Sequence, residues 1–148
     1  MSPQTGQWAD SLFALEKVHL LRLFIWAAGS VAVGTGLIAL LRVRQLESTI
    51  LSQFAIQSVS WGLAEIALAV SEQRDLHLRD LASAVALDRF VWLNVGLAAG
   101  LVGIGLTLAI VGIIQGRRLG FVGAGAGVML QGVALAILHV QFAAVIVR

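Results

Sequence analysis

The sequence predicts an all-α polytopic membrane protein, an antiparallel bundle of four transmembrane helices with one or two short amphipathic helices at the interface. Of its 148 residues, 59% are hydrophobic and 12% are charged, too few charges to cover a soluble domain of this size. Four apolar stretches are each long enough to cross a hydrocarbon core of about 30 Å. They should be helices, because backbone groups in lipid must be satisfied internally and no alternating barrel segments occur.

The N-terminal segment, residues 1–17, is expected to be separate from a transmembrane domain at residues 18–148. Trp8, Leu12 and Leu15 recur at helical spacing with polar residues opposite, which predicts a short helix along the membrane surface. The alternative is a frayed polar leader. We expect no removable signal peptide, because no basic stretch precedes a cleavable apolar core.

The apolar stretches place the four spans at residues 18–41, 49–70, 90–114 and 119–147. Short connections after spans one and three predict two antiparallel hairpins. The connection between spans two and three is longer, and Leu78, Leu81 and Val85 recur in it at helical spacing. This spacing predicts a second interfacial amphipathic helix.

The distribution of arginines sets the expected orientation. The two short connections carry Arg42, Arg44, Arg117 and Arg118, whereas the basic residues on the opposite side are interspersed with acidic ones. By the positive-inside rule both termini lie outside, in a bacterial inner membrane. The chain has no cysteine and no basic stripe, which excludes thiolate chemistry and argues against nucleic acid as a partner.

Glycines at four-residue spacing predict close packing between helices. The pairs are Gly96 with Gly100, Gly112 with Gly116, and Gly123 with Gly127. Such spacing lets helix backbones approach where van der Waals contact replaces the hydrophobic driving force. Helices three and four should therefore pack tightly, and a glycine face could also receive a larger membrane complex or a second copy.

Polar side chains are expected to gather in one layer. Because helix direction alternates, the starts of spans one and three share a leaflet with the ends of spans two and four. The residues placed there, about 6 to 12 Å below the surface, are Arg22, Glu65, Asn94, His139 and Gln141. Gln57 and Gln131 form a deeper pair, and Trp61 lies in the same apolar run as Glu65. Glu65 should be held by Arg22, His139 or Asn94.

Three roles are open for this layer. Its members could hydrogen-bond to one another between helices. Alternatively, they could bind a ligand or relay protons together with Gln57, Gln131 and Trp61, with Glu65 and His139 as the ionisable pair. In the third alternative His19 and His139 bind haem b axially. No metal-ligand spacing and no nucleophile with a paired base is present, so no other cofactor is expected and an enzyme is the least favoured class.

Short motifs in spans two to four resemble those of an uncharacterised family of small bacterial four-helix membrane proteins. These motifs are NVGLAAGLVGIGL, WGLAE and GVMLQGVALAILHVQF. The matching residues are Asn94, Gly96, Leu97, Trp61, Gln131 and Gly132. Ala98 and His139 stand where the family has aspartates, and Glu65 stands where an asparagine is common. The resemblance implies the four-helix fold and no known activity.

The sequence favours a structural or accessory membrane subunit that packs through its glycine-rich faces with a partner or with itself. The alternative is a bundle that binds a ligand or relays protons through the layer of Glu65 and His139.

Overall fold

The computed structural model describes residues 3–146, with side chains from residue 7 onward, and in that range it has four α-helices and no strand. The helices are α1 (Pro3–Val43), α2 (Thr49–Arg74), α3 (Leu81–Ile114) and α4 (Leu119–Ile146). By length and composition, all four are suited to crossing a membrane. The four-helix prediction is confirmed, and the starts of α2 and α4 and the end of α3 coincide with the predicted span limits.

The inner pair of the bundle is α2 and α4, which run in the same direction. α1 packs along α2 and touches α4, while α3 packs along α4. Within the described range, the backbone of α3 closely approaches neither α1 nor α2. One end, here the arginine end, holds the turns at residues 44–48 and 115–118. The other, here the cavity end, holds the first turns of α1 and α3 and the last turns of α2 and α4.

The N-terminal segment is continuous with the first span. α1 has 41 residues and is about 60 Å long, roughly twice the thickness of a hydrocarbon core. Residues 3–17 are thus the first turns of α1, which corrects the expectation of a separate interfacial helix. Leu12 is buried in one cluster with Leu87 of α3 and Phe142 of α4, so the protein itself, instead of lipid headgroups, covers this apolar side chain.

The second expected interfacial helix is also part of a longer helix. α3 begins at Leu81, where Asp80 caps it by accepting a hydrogen bond from the backbone N–H of Ser83 at 2.8 Å. Hydrogen bonds from the Ser83 hydroxyl and N–H hold the pKa of Asp80 below its ordinary value. The apolar spacing around Leu81 and Val85 therefore belongs to the first turns of α3, and a short loop connects this helix to α2.

Backbones approach most closely at glycines of α4. A Cβ added at Gly123 would overlap the backbone of Ile50 on α2, and one at Gly127 would lie 2.7 Å from the Cβ of Gln57. On the opposite side of α4, a Cβ at Gly132 would lie 2.7 Å from a backbone oxygen of α3. These distances are too short for any larger residue. Glycine thus brings α4 against both of its main neighbours.

The α3 face that meets α4 differs from the expected one. Gly96 and Gly100 look into open space, since an added Cβ would meet no atom within 4 Å among the described residues. Gly105 makes the contact instead, where a Cβ would lie 2.6 Å from the backbone oxygen of Gly125. The pair Gly96 and Gly100 therefore does not join α3 to α4.

Gly112 and Gly116 lie at and next to the turn between α3 and α4. A Cβ at Gly112 would lie 2.9 Å from the Cβ of Phe121. Gly116 lies within the turn and has a φ of 77°, a left-handed conformation that glycine adopts without steric cost. Gly116 therefore reverses the chain and makes no contact between helices.

Candidate functional site

A cavity of about 330 Å³, here the outer cavity, lies at the cavity end and is lined by all four helices. The chain has three histidines, and all of them line this cavity: His19, His77 and His139. Carboxylates line it as well, and these are Glu16 of α1, Glu72 of α2 and Asp75 of the following loop. Apolar side chains complete the wall, among them Phe90 and Phe142. The folded chain thus brings its three histidines and three of its eight acidic side chains around one space.

A smaller cavity of about 160 Å³, here the inner cavity, adjoins the outer one. Glu72, Asn94 and His139 line both. Trp61 and Glu65 line only the inner cavity and lie farther along α2 toward the middle of the bundle. Because they share these walls, the two are here called the joined cavities, and together they extend from the cavity end toward the middle of the bundle.

Glu65 carries a buried carboxylate without a partner. The residue is 7% exposed, and neither carboxylate oxygen has a hydrogen-bond partner among the described residues. The expected pairing is therefore not formed. Arg22 is exposed on the surface of α1, and the amide of Asn94 donates to the backbone oxygen of Phe90 in its own helix at 3.0 Å. His139 shares the inner cavity, yet its Nδ1 is also buried and unpartnered in the described part of the chain.

His139 of α4 lies against His19 of α1. The ring centroids are 5.1 Å apart with planes inclined by 56°, and His19 also stacks on Phe142 at 4.3 Å. Rings this close leave no room between them for a porphyrin, so the geometry does not suit axial ligation of haem by this pair. Among the described residues, no group of three or more histidines and carboxylates is arranged to hold a metal ion.

An ion pair bounds the outer cavity. Arg79 donates from Nε to Glu16 Oε2 at 2.9 Å and from Nη2 to Glu16 Oε1 at 2.5 Å. The hydrogen bonds to Glu16 raise the pKa of Arg79 further above its ordinary value. Among the described residues, Arg79 is the one arginine or lysine that lines either cavity, and it is already bound to Glu16. Glu65, Glu72 and Asp75 therefore have no basic side chain within salt-bridge distance in the described part of the structure.

The remaining polar candidates lie outside both cavities. Gln131 is 1% exposed, accepts a hydrogen bond from Trp26 Nε1 at 2.7 Å and donates one to Ser30 Oγ at 3.1 Å. It thus joins α4 to α1 and is not paired with Gln57, which packs against a glycine of α4. Gln141 is exposed.

Sequence reasoning missed Glu16 and Arg79. A signal for Glu16 was present, because buried residues recur at every third or fourth position on one face of α1: Leu12, Glu16, His19 and Leu23. Two polar side chains in an apolar stripe indicate a polar site between helices. The pairing with Arg79 had no comparable signal, since 63 residues separate the partners.

The chain belongs to the family of unknown function DUF6992, whose model matches residues 22–140. This agrees with the resemblance to an uncharacterised family. The match includes Glu65, Asn94 and His139 and begins after Glu16 and His19. No curated protein and no solved structure matches the chain.

Proposed function

We propose that this protein is an integral membrane protein that binds a small molecule through Glu65 and His139 in the joined cavities. One observation carries the proposal: both side chains are more than nine-tenths buried, face the inner cavity and have atoms without a hydrogen-bond partner among the described residues. Unpaired polar groups in a low dielectric cost free energy. A ligand that supplies the missing partners recovers this free energy when it binds.

The alternative in which the layer only links helices has less support. Hydrogen bonds between helices are made elsewhere, by Gln131 with Trp26 and Ser30. Glu65 makes none to a described residue, so its carboxylate adds no stabilising link to the bundle. A binding role accounts for the carboxylate where a structural role does not.

The proposed location is the inner membrane of a bacterium, with both termini outside. Four exposed arginines at the arginine end support this orientation: Arg42, Arg44, Arg117 and Arg118. The outer cavity then faces the extracytoplasmic side, and a ligand enters from there or from the outer leaflet.

Filling the inner cavity tests the proposal. Ala69 is 5% exposed and lines this cavity, so Ala69→Leu occupies the space of a ligand. Ala67→Leu is the matched control, because Ala67 is exposed on the same helix. We expect native mass spectrometry of the purified protein to show a bound small molecule in wild type and in the control and none in Ala69→Leu. A protein that carries no bound molecule, and whose melting temperature no small amine, alcohol or acid raises, contradicts the proposal.

A second candidate, an accessory subunit of a larger complex or a homo-oligomer, is favoured by the open glycines of α3. Gly96, Gly100 and Gly103 are exposed, and an added Cβ at any of them meets no described atom within 4 Å. Such a face suits a partner helix. If this candidate is right, wild type purified in mild detergent should run as a complex, and Gly100→Leu should dissociate it without lowering the melting temperature of the separated chain.

A further inference from the structure

We propose that the ligand of the joined cavities is an organic cation, a protonated amine with an apolar body, whose ammonium group binds Glu65. This inference rests on the proposed binding function and names the chemical class of the ligand. It follows from the balance of charge around the cavities, from the apolar walls and from the spacing of two carboxylates on α2.

The charge balance favours a cation. Of the described side chains, four carboxylates line the two cavities, those of Glu16, Glu65, Glu72 and Asp75, together with a single arginine, Arg79, and no lysine. Because Arg79 binds Glu16 through two nitrogen atoms, no basic side chain of the described residues lies within salt-bridge distance of Glu65 or Glu72. An anionic ligand would meet these carboxylates without a free arginine or lysine to bind it, whereas an ammonium supplies the cationic partner that Glu65 lacks.

The walls favour an organic cation over a metal ion. The inner cavity is mostly apolar, with Trp61 and several leucines around Glu65, and no described group of side chains is arranged to hold a metal ion. Phe90 and Phe142 line the outer cavity. Aromatic and aliphatic walls suit the hydrocarbon part of an amine, and aromatic faces also attract a cation.

The positions of Glu65 and Glu72 indicate how the ligand is oriented in the cavities. They are seven residues apart on one face of α2 and both line the inner cavity, which separates them by about 10 Å along the helix. Glu72 also borders the outer cavity. An amine that enters from the cavity end meets Glu72 first and Glu65 farther along α2. Its apolar body then extends back past Asn94 toward Phe90.

A set of three probes of equal chain length tests the charge class. The protein is placed in nanodiscs of neutral phosphatidylcholine and titrated calorimetrically with hexylammonium, hexanol and hexanesulfonate, with empty nanodiscs as the blank. The variants are Glu65→Gln, which keeps the size of the side chain, and the control Glu47→Gln, an exposed glutamate at the arginine end. Melting temperatures verify that each variant is folded.

We expect hexylammonium to bind saturably at one site per chain, with hexanol and hexanesulfonate much weaker. Glu65→Gln should weaken hexylammonium binding by about ten- to a hundredfold, and Glu47→Gln should leave it unchanged. If hexanesulfonate or hexanol binds as tightly as the amine, or if Glu65→Gln has no effect, the ligand class is wrong while a binding cavity remains. If none of the probes binds although wild type carries a molecule that Ala69→Leu lacks, the cation assignment fails and the proposed function stands. If none of the probes binds and wild type carries no bound molecule, both the cation assignment and the proposed binding function fail.

Discussion

Arg79 and Glu16 form an ion pair through two nitrogen atoms and two oxygen atoms, and this pair connects α1 to the loop between α2 and α3. The side chains are 15% and 6% exposed, so water screens the pair only partly. The contact holds the first turns of α1 against the cavity end, where this helix extends beyond the length that a bilayer needs.

Removal of this ion pair should destabilise the cavity end. We expect Arg79→Ala to lower the free energy of unfolding by about 1 to 3 kcal/mol, because it leaves the Glu16 carboxylate buried without its partner. Arg74→Ala is the control, since Arg74 is exposed and makes no salt bridge among the described residues. Thermal melting in nanodiscs measures the difference. In a double-mutant cycle with Glu16→Gln, purely additive effects would show that the two side chains do not interact.

Addition of one methyl group should distinguish a glycine that packs against a neighbouring helix from a glycine on an open face. Gly123→Ala should destabilise the bundle by about 1 to 3 kcal/mol, because the added Cβ overlaps the backbone of Ile50 on α2. Gly100→Ala adds the same atom where nothing lies within 4 Å, so its melting temperature should match wild type. Equal melting temperatures for the two variants would contradict the close approach of α2 and α4.

The number of helices, the starts of α2 and α4 and the end of α3 could be predicted because they depend on local properties of the chain. The start of α2, for example, follows Ser48, whose side chain caps the helix. The packed face of α3 could not be predicted, because both faces carry small residues at helical spacing. Gly105 and Gly112 lie on the buried face, and Gly96 and Gly100 lie on the open one. Only the position of α4 distinguishes these faces.

The common depth of three candidate residues could also be predicted from the order of the helices along the chain. Alternating helix direction placed Glu65, Asn94 and His139 at one depth, and all three line the inner cavity. The predicted partner of Glu65 was wrong, because the depth of a residue in the bundle does not determine the side of its helix on which it lies. Arg22 lies on the exposed side of α1, and no spacing rule for a single helix relates that side to the other three helices.

The hydrogen bonds of Gln131 should contribute measurably to stability. Gln131→Leu leaves the indole N–H of Trp26 without its acceptor and Ser30 without its donor. We expect a loss of about 1 to 2 kcal/mol, typical of side-chain hydrogen bonds between membrane helices. Gln57→Leu is the control, because no side-chain hydrogen bond of Gln57 occurs within the described part of the structure. An equal loss in both variants would indicate that the hydrogen bonds of Gln131 add nothing beyond the packing of a large side chain.

Single cysteines can test the proposed orientation. The chain has no native cysteine, and Gln45, Gln115 and Ser71 are exposed. With both termini outside, Gln45→Cys and Gln115→Cys should be protected from an impermeant thiol reagent in intact cells, and Ser71→Cys should be labelled. Permeabilised cells provide the control, in which all three should react. The inverse labelling pattern would place the arginine end outside and reverse the proposed orientation.

Replacement of Glu65 should affect ligand binding and the stability of the empty protein differently. In the protein without ligand, the buried carboxylate has no partner among the described residues, so it contributes a desolvation cost and no compensating interaction. We therefore expect Glu65→Leu to leave the melting temperature of the empty protein unchanged or to raise it, while the bound small molecule is lost. Residues that serve binding at the expense of stability commonly behave in this way.

Glu47→Leu provides the control for Glu65→Leu, because Glu47 is exposed at the arginine end and its replacement should affect neither property. Thermal melting of ligand-free protein in nanodiscs and native mass spectrometry of the same preparations measure the two quantities. A large fall in the melting temperature of Glu65→Leu would mean that the carboxylate stabilises the bundle through a partner. Glu65 would then be a structural residue, and retention of the bound molecule in this variant would remove it from the binding site.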